Sequence, residues 1–203
     1  MRNSLNSLEK KGFTTECIPA PLDEELLREL GRVSDEWLSA FNKKEMGFAQ
    51  GYFDMEAVRK TSVVVVRDEA GIIQSFLNII PDYTPQECTY DLIRRRAESP
   101  GGCMDAMIIE LVEYARQQGY KFLNLGLVPM SGLNEPDNAA EQIVKYASTR
   151  MGAFRHYQTL KDFKEKYATI WENKYLVFAN DFELLQIPTE LKKVMSPKVS
   201  DVT

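Results

Sequence analysis

The sequence predicts an α+β domain built on one mixed, mostly antiparallel sheet flanked by helices. Three observations lead there. "SVVVVRDEAGIIQSFLNII" is two β-branched runs joined by a polar turn at Gly71, which is a hairpin pattern. "ECTYDLIRRR" follows it as a third strand. Two long stretches of helical periodicity stand on either side of this meander. The 203 residues, 44% hydrophobic and 27% charged, suffice for one sizeable core.

The elements can be justified in chain order. "LNSLEKKG" reads as a helix end closed by Gly12, and "FTTECIP" as a short alternating strand stopped at Pro19. "DEELLRELGRVSDEWLSAF" places Leu26, Leu27, Leu30, Val33, Trp37, Leu38 and Phe41 at helical spacing behind a capping Asp23. "GFAQGYFD" is rich in turn residues, and its Asp54 caps the short helix "MEAVRK". After the meander, "GCMDAMIIELVEYARQQG" carries Met104, Met107, Ile108, Leu111 and Ala115 along one face and stops at Gly119. "KFLNLGL" is expected as a buried strand, "DNAAEQIVKYASTRMG" as a helix and "KYLVFAN" as a last strand, with a polar, frayed ending. Domain limits follow as a connecting helix over 1–12, one domain over 13–180 and a tail over 181–203. This order is also that of the GNAT acyltransferase fold.

Several function classes are excluded. The net charge of −5 argues against broad contact with nucleic acid and leaves room only for a confined basic patch. Cys17, Cys88 and Cys103 lie far apart, so neither a zinc site nor a disulfide framework is indicated, and no metal or cofactor is expected. No stretch is apolar enough to span a membrane and "MRNSLNSLEKKG" lacks the core of a secretory signal, which places the expected location in the cytoplasm or at the inner face of the cell membrane. Ser131 has no histidine nearby, and His156 stands in no recognisable triad, so covalent serine chemistry is not expected.

"RNSLNSLEKKGF", "GFAQGYFD", "VVVVRDEAGIIQSFLNIIP", "DLIRRRAESPGGCMD", "QGYKFLNLGLVPMSGL" and "LKDFKEKYATIWENKYL" resemble, in order, successive blocks of the C-terminal domain of bacterial lysylphosphatidylglycerol synthases. The resemblance runs from about Arg2 to Phe178 and covers the second of that family's two GNAT-like halves. It departs at Thr159, where a glycine is expected, and before Trp171, where the family has a proline. It implies transfer of an amino acid from an aminoacyl-tRNA acceptor end to a phosphatidylglycerol headgroup or similar small acceptor. It also implies a membrane surface nearby, and an upstream domain or a homodimer partner that completes the reaction centre.

Candidate site residues lie in these blocks. Asp91 is the candidate for donor-amine recognition or base work. Strand alternation sets Arg94 and Arg96 on one face with Tyr90 and Leu92, and Arg95 on the other with Asp91 and Ile93. An arginine pair at a strand end suits a phosphate, the alternative being a solvated end with Arg95 paired to Glu98. On the phosphate reading, Arg94→Ala weakens ligand binding and leaves the melting temperature nearly unchanged. In "SPGGCMD" the helix start departs from the coenzyme A signature, and Asp105 either holds an amine or only complements the helix dipole. Asn124 on the expected buried strand requires partners, from the adjacent backbone or from a ligand, and Gly126 leaves room for a close approach. Ser131 belongs to the same lining block. Lys161 and Lys164 meet phosphate or form a solvated helical face. Asp91, Arg94, Asp105 and Asn124 are expected to converge on one pocket. An acetyl-CoA-dependent N-acetyltransferase and a non-catalytic interaction module are the alternative functions.

Overall fold

A computed structural model of the chain describes residues 2–42, 44–45, 51–81, 83–129, 142, 145–146 and 153–195. Ser131 and most of the helix expected over "DNAAEQIVKYASTRMG" lie outside the described residues. The described chain forms two compact units, the first including residues up to Asn124 together with Met195 and the second spanning Leu125–Val194.

In the first unit, helix α1 (Arg2–Lys10) leads into β1 (Thr14–Ile18), α2 (Glu24–Ala40), α3 (Met55–Arg59), β2 (Ser62–Arg67), β3 (Ile73–Pro81), β4 (Glu87–Arg95), α4 (Cys103–Gln117) and β5 (Phe122–Asn124). The five strands form one sheet in the order β1-β2-β3-β4-β5. β1 to β4 pair antiparallel, and β5 joins β4 parallel. Both predicted caps form: the Leu26 N–H donates to Asp23 Oδ1 at 2.8 Å and the Ala57 N–H to Asp54 Oδ1 at 2.7 Å.

Helices cover both faces of the sheet, which is why β2 is a continuous valine run. Leu26, Leu27, Leu30 and Val33 of α2 pack with Val58, Val63, Val65, Ile73, Phe76 and Leu92. On the other face α4 lies across β1, β2 and β3 and buries Met107, Ile108, Leu111 and Ala115. Fully burying a leucine, valine or phenylalanine contributes about 1.5–3 kcal/mol, so these two layers dominate the stability of the unit.

β4 carries one residue more than β3 can match. Leu77 pairs with Ile93 but Ile79 pairs with Tyr90, so Asp91 and Leu92 together face Asn78. This is a β-bulge. The ladder would leave the Leu92 N–H without a partner, and the side chain of buried Asn78 supplies one, Oδ1 accepting at 2.7 Å. The extra residue breaks strand alternation. Tyr90 shares its face with Ile93 and Arg95 rather than with Leu92 and Arg94, which corrects the assignment made from period-two alternation. Burial there pushes the Tyr90 phenol up to about 12.

β5 also departs from expectation. It is a three-residue edge strand whose Phe122 and Asn124 are exposed, not a buried strand. Only Glu87, Cys88 and Thr89 of β4 pair with it.

The second unit contains α5 (Ala153–Glu165) and α6 (Asp181–Met195). The stretch read as a frayed tail is therefore helical as far as Met195. "KYLVFAN" is not a strand: residues 171–178 take no backbone hydrogen bond among the described residues, and Tyr175, Leu176 and Val177 are exposed. Its β-branched and aromatic composition suits a pleated surface, but a strand exists only against a partner.

Candidate functional site on strand β4

Beyond Thr89, β4 continues for six residues, about 20 Å, with no strand on its outer side among the described residues. The Leu92 N–H points toward β3, and so does that of Arg96, which donates to the Gln74 carbonyl at 2.9 Å. Alternation then turns the Ile93 and Arg95 N–H groups outward, where no strand among the described residues takes them. A run of outward donors beside a bulge can receive an extended acyl group or a developing oxyanion.

Two residues from the chain between α2 and α3, Glu45 and Gly51, bond to β4. Glu45 meets the Arg94 guanidinium in a two-pronged ion pair, with Nη1 at 2.8 Å from Oε1 and Nη2 at 2.7 Å from Oε2. Arg94 is only 3% exposed, also donates to Ser34 Oγ, and lies 5.0 Å from the centre of the Trp37 ring. Burial alone would raise the Glu45 carboxyl, but hydrogen bonds from Arg94 and from the Phe53 N–H outweigh it and hold the group below its ordinary range. The Gly51 N–H donates to Asp91 Oδ1 at 2.9 Å. A Cβ at Gly51 would stand 1.8 Å from Asp91 Oδ2, so only glycine lets the backbone rest on this carboxylate. The bulge presents Asp91 at the surface for that contact.

The other sequence candidates do not gather here. Arg96 is bound to Glu36 Oε2 at 2.6 Å and to the Ile73 carbonyl at 2.8 Å, which ties β4 to α2. Arg95 does not pair with Glu98; its guanidinium donates to the carbonyls of Arg96 and Ala97. Asp105 is buried in the first turn of α4, where a carboxylate complements the helix dipole. The residue before that helix, Gly102, has a φ of 106° and caps it without a side chain. Asn124 is exposed, donates to Glu87 Oε1 at 2.7 Å and accepts from the Thr89 hydroxyl at 2.8 Å through its carbonyl. Because Asn124 is level with Thr89, it stands about 15 Å along the strand from Arg94. The expected convergence of Asp91, Arg94, Asp105 and Asn124 on one pocket is thus corrected: parallel register keeps Arg94 and Asn124 apart, and Arg94 is an internal clamp. Gly126, Lys161 and Lys164 belong to the second unit, where Lys161 pairs with Glu165 at 3.4 Å and Lys164 is buried.

Sequence reasoning missed Glu45, Gly51, Ser34 and Asn78. A lone polar residue inside the apolar run "FLNII" was the available signal for Asn78. Gly51 lies in a turn-rich block with no local mark of its contact to Asp91. Nothing local marks Glu45 or Ser34 as partners of an arginine 49 and 60 residues further on.

An antiparallel meander, a crossover helix and a parallel fifth strand that leaves the bulged fourth strand open define a GNAT-like acyltransferase fold. The chain belongs to the family described as phosphatidylglycerol lysyltransferase, C-terminal, whose pattern matches residues 1–178. It is 30% identical over 181 residues to the phosphatidylglycerol lysyltransferase of Bacillus subtilis strain 168, covering 88% of this chain and 21% of that protein. With the enzyme of Staphylococcus aureus strain MSSA476 it shares 28% over 199 residues, covering 97% of this chain and 24% of that one. The chain therefore spans about a fifth to a quarter of these relatives. Among solved structures, L-PGS from Bacillus licheniformis superposes with a TM-score of 0.76 at 31% identity, over 95% of this chain and 59% of that one. The C-terminal domain of a putative lysylphosphatidylglycerol synthetase from Agrobacterium fabrum gives 0.81 at 29% identity, over 99% and 60%.

Proposed function

We propose that this chain is one acyl-transfer lobe of a lysylphosphatidylglycerol synthase, moving an aminoacyl group from an aminoacyl-tRNA to the glycerol hydroxyl of a phosphatidylglycerol-type acceptor. The observation that carries the reading is the bulged, one-sided run of β4 between Tyr90 and Arg95, in a chain whose family match extends over 1–178. The donor ester is already activated, so the protein has to align groups and stabilise charge. The acceptor oxygen attacks the ester carbonyl carbon and forms the new C–O bond. Negative charge on the former carbonyl oxygen is met by the outward Ile93 and Arg95 N–H groups. The intermediate collapses by breaking the bond to the ribose oxygen, which leaves with the proton given up by the acceptor. Asp91 holds the donor ammonium through Oδ2, while its Oδ1 is fixed by Gly51. Arg94 is a positioning residue, since it pairs with Glu45 and donates to the Gly51 carbonyl at 3.5 Å.

Coenzyme A is disfavoured because the first turn of α4 already holds the buried Asp105 carboxylate, which competes with a pyrophosphate for the helix dipole. Calorimetric titration with a hydrolysis-resistant lysyl-adenosine amide, and separately with acetyl-CoA, tests the reading. The lysyl compound should bind and lose at least tenfold in affinity in Asp91→Asn, while acetyl-CoA should not bind. Binding of acetyl-CoA in place of the lysyl compound refutes it. A transfer assay with lysyl-tRNA and phosphatidylglycerol vesicles should give weak or no product from this chain alone, because the family's centre resembles a cleft between two domains. Robust product would show that one lobe suffices.

A further inference from the structure

Helix α5 and the turn after β5, both in the second unit, enclose a cation that the transfer reaction above does not use. Lys164 is 6% exposed, and its Nζ donates to the Leu127 carbonyl at 3.1 Å. An ammonium carries three donors, and a neutral carbonyl answers only one of them. No carboxylate lies within ion-pairing distance among the described residues. Charged groups near it whose side chains are described are engaged elsewhere: on α5, Lys161 with Glu165 and Asp162 with Gln158, and just beyond the helix, Lys166 over the Phe163 ring at 5.2 Å. Residues 125–128 of the facing turn, Leu-Gly-Leu-Val, contain nothing ionisable. Burial accordingly lowers Lys164 to about 8.

A buried ammonium without an anion is costly, and a methionine or leucine of similar length would pack there at no such penalty. A lysine in that place is explained by an anion that arrives. The approach is visible. Gly126 is exposed, has a φ of 79°, and a Cβ added there would meet only Lys164 Nζ, at 3.4 Å. The side chain's head thus lies directly beneath an open glycine at the surface of the turn.

We propose that Lys164, beneath the Gly126 turn, is a receptor for a single phosphodiester monoanion of the kind found in a glycerophosphoryl headgroup. The count of charges favours a small monoanion: one buried cation is neutralised by one charge and can then remain dry. An RNA backbone is gripped by exposed lysines with strong salt dependence, whereas the Lys164 side chain is buried. The inference rests on the proposed function, to which it adds a place for the acceptor's phosphate.

Anion binding favours the charged amine, so protons are taken up with the ligand. Affinity should then fall as pH rises through about 8, approaching tenfold per pH unit above it. Calorimetry with glycerophosphoglycerol and with inorganic phosphate, at about pH 7 and about pH 9 and in buffers of different ionisation enthalpy, reads both effects. Glycerophosphoglycerol should bind with proton uptake and weaken at least fivefold at the higher pH. Lys164→Met should abolish binding. Lys164→Arg should keep it and remove the pH dependence. Should the methionine variant fail to fold, the arginine variant and the wild-type pH dependence still decide the matter. Equal binding of inorganic phosphate assigns the site to free phosphate, whereas preference for the diester assigns it to the headgroup. The proposal is overturned if neither probe binds, if Lys164→Met binds like wild type, or if that variant loses tRNA binding alone. Lysyl-adenosine binding serves as the independent control. If it persists while both phosphates fail, this inference falls and the proposed function stands; if acetyl-CoA replaces it, the proposed function falls regardless of Lys164.

Discussion

Replacing Arg94 with methionine should destabilise the first unit, and the size of the loss follows from its contacts. The substitution removes both prongs of the Glu45 pair and the bond to Ser34, and leaves a carboxylate whose side chain is 29% exposed without its cation. Breaking a buried ion pair costs about 3–5 kcal/mol, and partial access of water to Glu45 places this site at the lower end, about 3 kcal/mol. For a chain of this size that corresponds to a fall in Tm of about 6–12 °C. Calorimetric unfolding measures the loss, and limited trypsin digestion localises it, because exposed Lys44 adjoins Glu45 and should be cut faster once the segment is released. Glu45→Leu combined with Arg94→Met should restore part of the lost stability, since no charge is then left unpaired. A Tm within about 2 °C of wild type for Arg94→Met, together with unchanged cleavage after Lys44, would refute the clamp and return Arg94 to the ligand-binding role read from the sequence.

Three further outcomes are expected. Gly51→Ala should displace the segment from β4, because its Cβ would overlap Asp91 Oδ2; lysyl-adenosine binding should fall as far as in Asp91→Asn, and a weaker effect would show that the contact yields easily. Asn78→Leu should cost about 1–3 kcal/mol in urea unfolding by orphaning the Leu92 N–H, and hydrogen exchange at Leu92 should accelerate, whereas an unchanged rate would place its partner elsewhere. Glu45 is held below its ordinary 4.5 in the folded chain, so its contribution to stability is fully present above that value and is lost as pH falls through the lower folded value. Faster trypsin-independent proteolysis near Lys44, by an acid-active protease, should therefore set in below about pH 4.5 in wild type but not shift with pH in the Glu45→Leu, Arg94→Met double variant.

What could be read from the sequence was what depends on neighbours in the chain. Asp23 and Asp54 cap their helices within three residues, Gly71 turns the hairpin, and the valines of β2 and the leucines of α2 declare their burial by spacing alone. The bulge could not be read in this way. One surplus residue leaves the composition of β4 unaltered, and it becomes visible only when Ile79 is seen opposite Tyr90. The partners of the arginines were hidden for a similar reason: "RRR" states that charge is present, while Glu45, Ser34 and Glu36 are brought to it by the packing of α2 on the sheet. The exposure of Asn124 is not legible in its apolar neighbours, because it follows from β5 pairing with β4 through only three residues. Lys164 is the opposite case, a member of a lysine-rich helix that looked solvated and turned its head inward.

The surplus residue in β4 makes the strand's length a matter of parity. Upstream of it, even-numbered Tyr90 faces α4; downstream, even-numbered Leu92 and Arg94 face α2. Deleting Asp91, the one residue between Tyr90 and Leu92, would remove the bulge and restore period-two alternation, with Tyr90, Ile93 and Arg95 still on one face and Leu92 and Arg94 still on the other. The strand would lose the Asp91 carboxylate and nothing else would change sides. An alignment with a relative that lacks the bulge therefore keeps the faces matched only if it places a single gap at Asp91, and an ungapped one equates residues on opposite sides of the sheet.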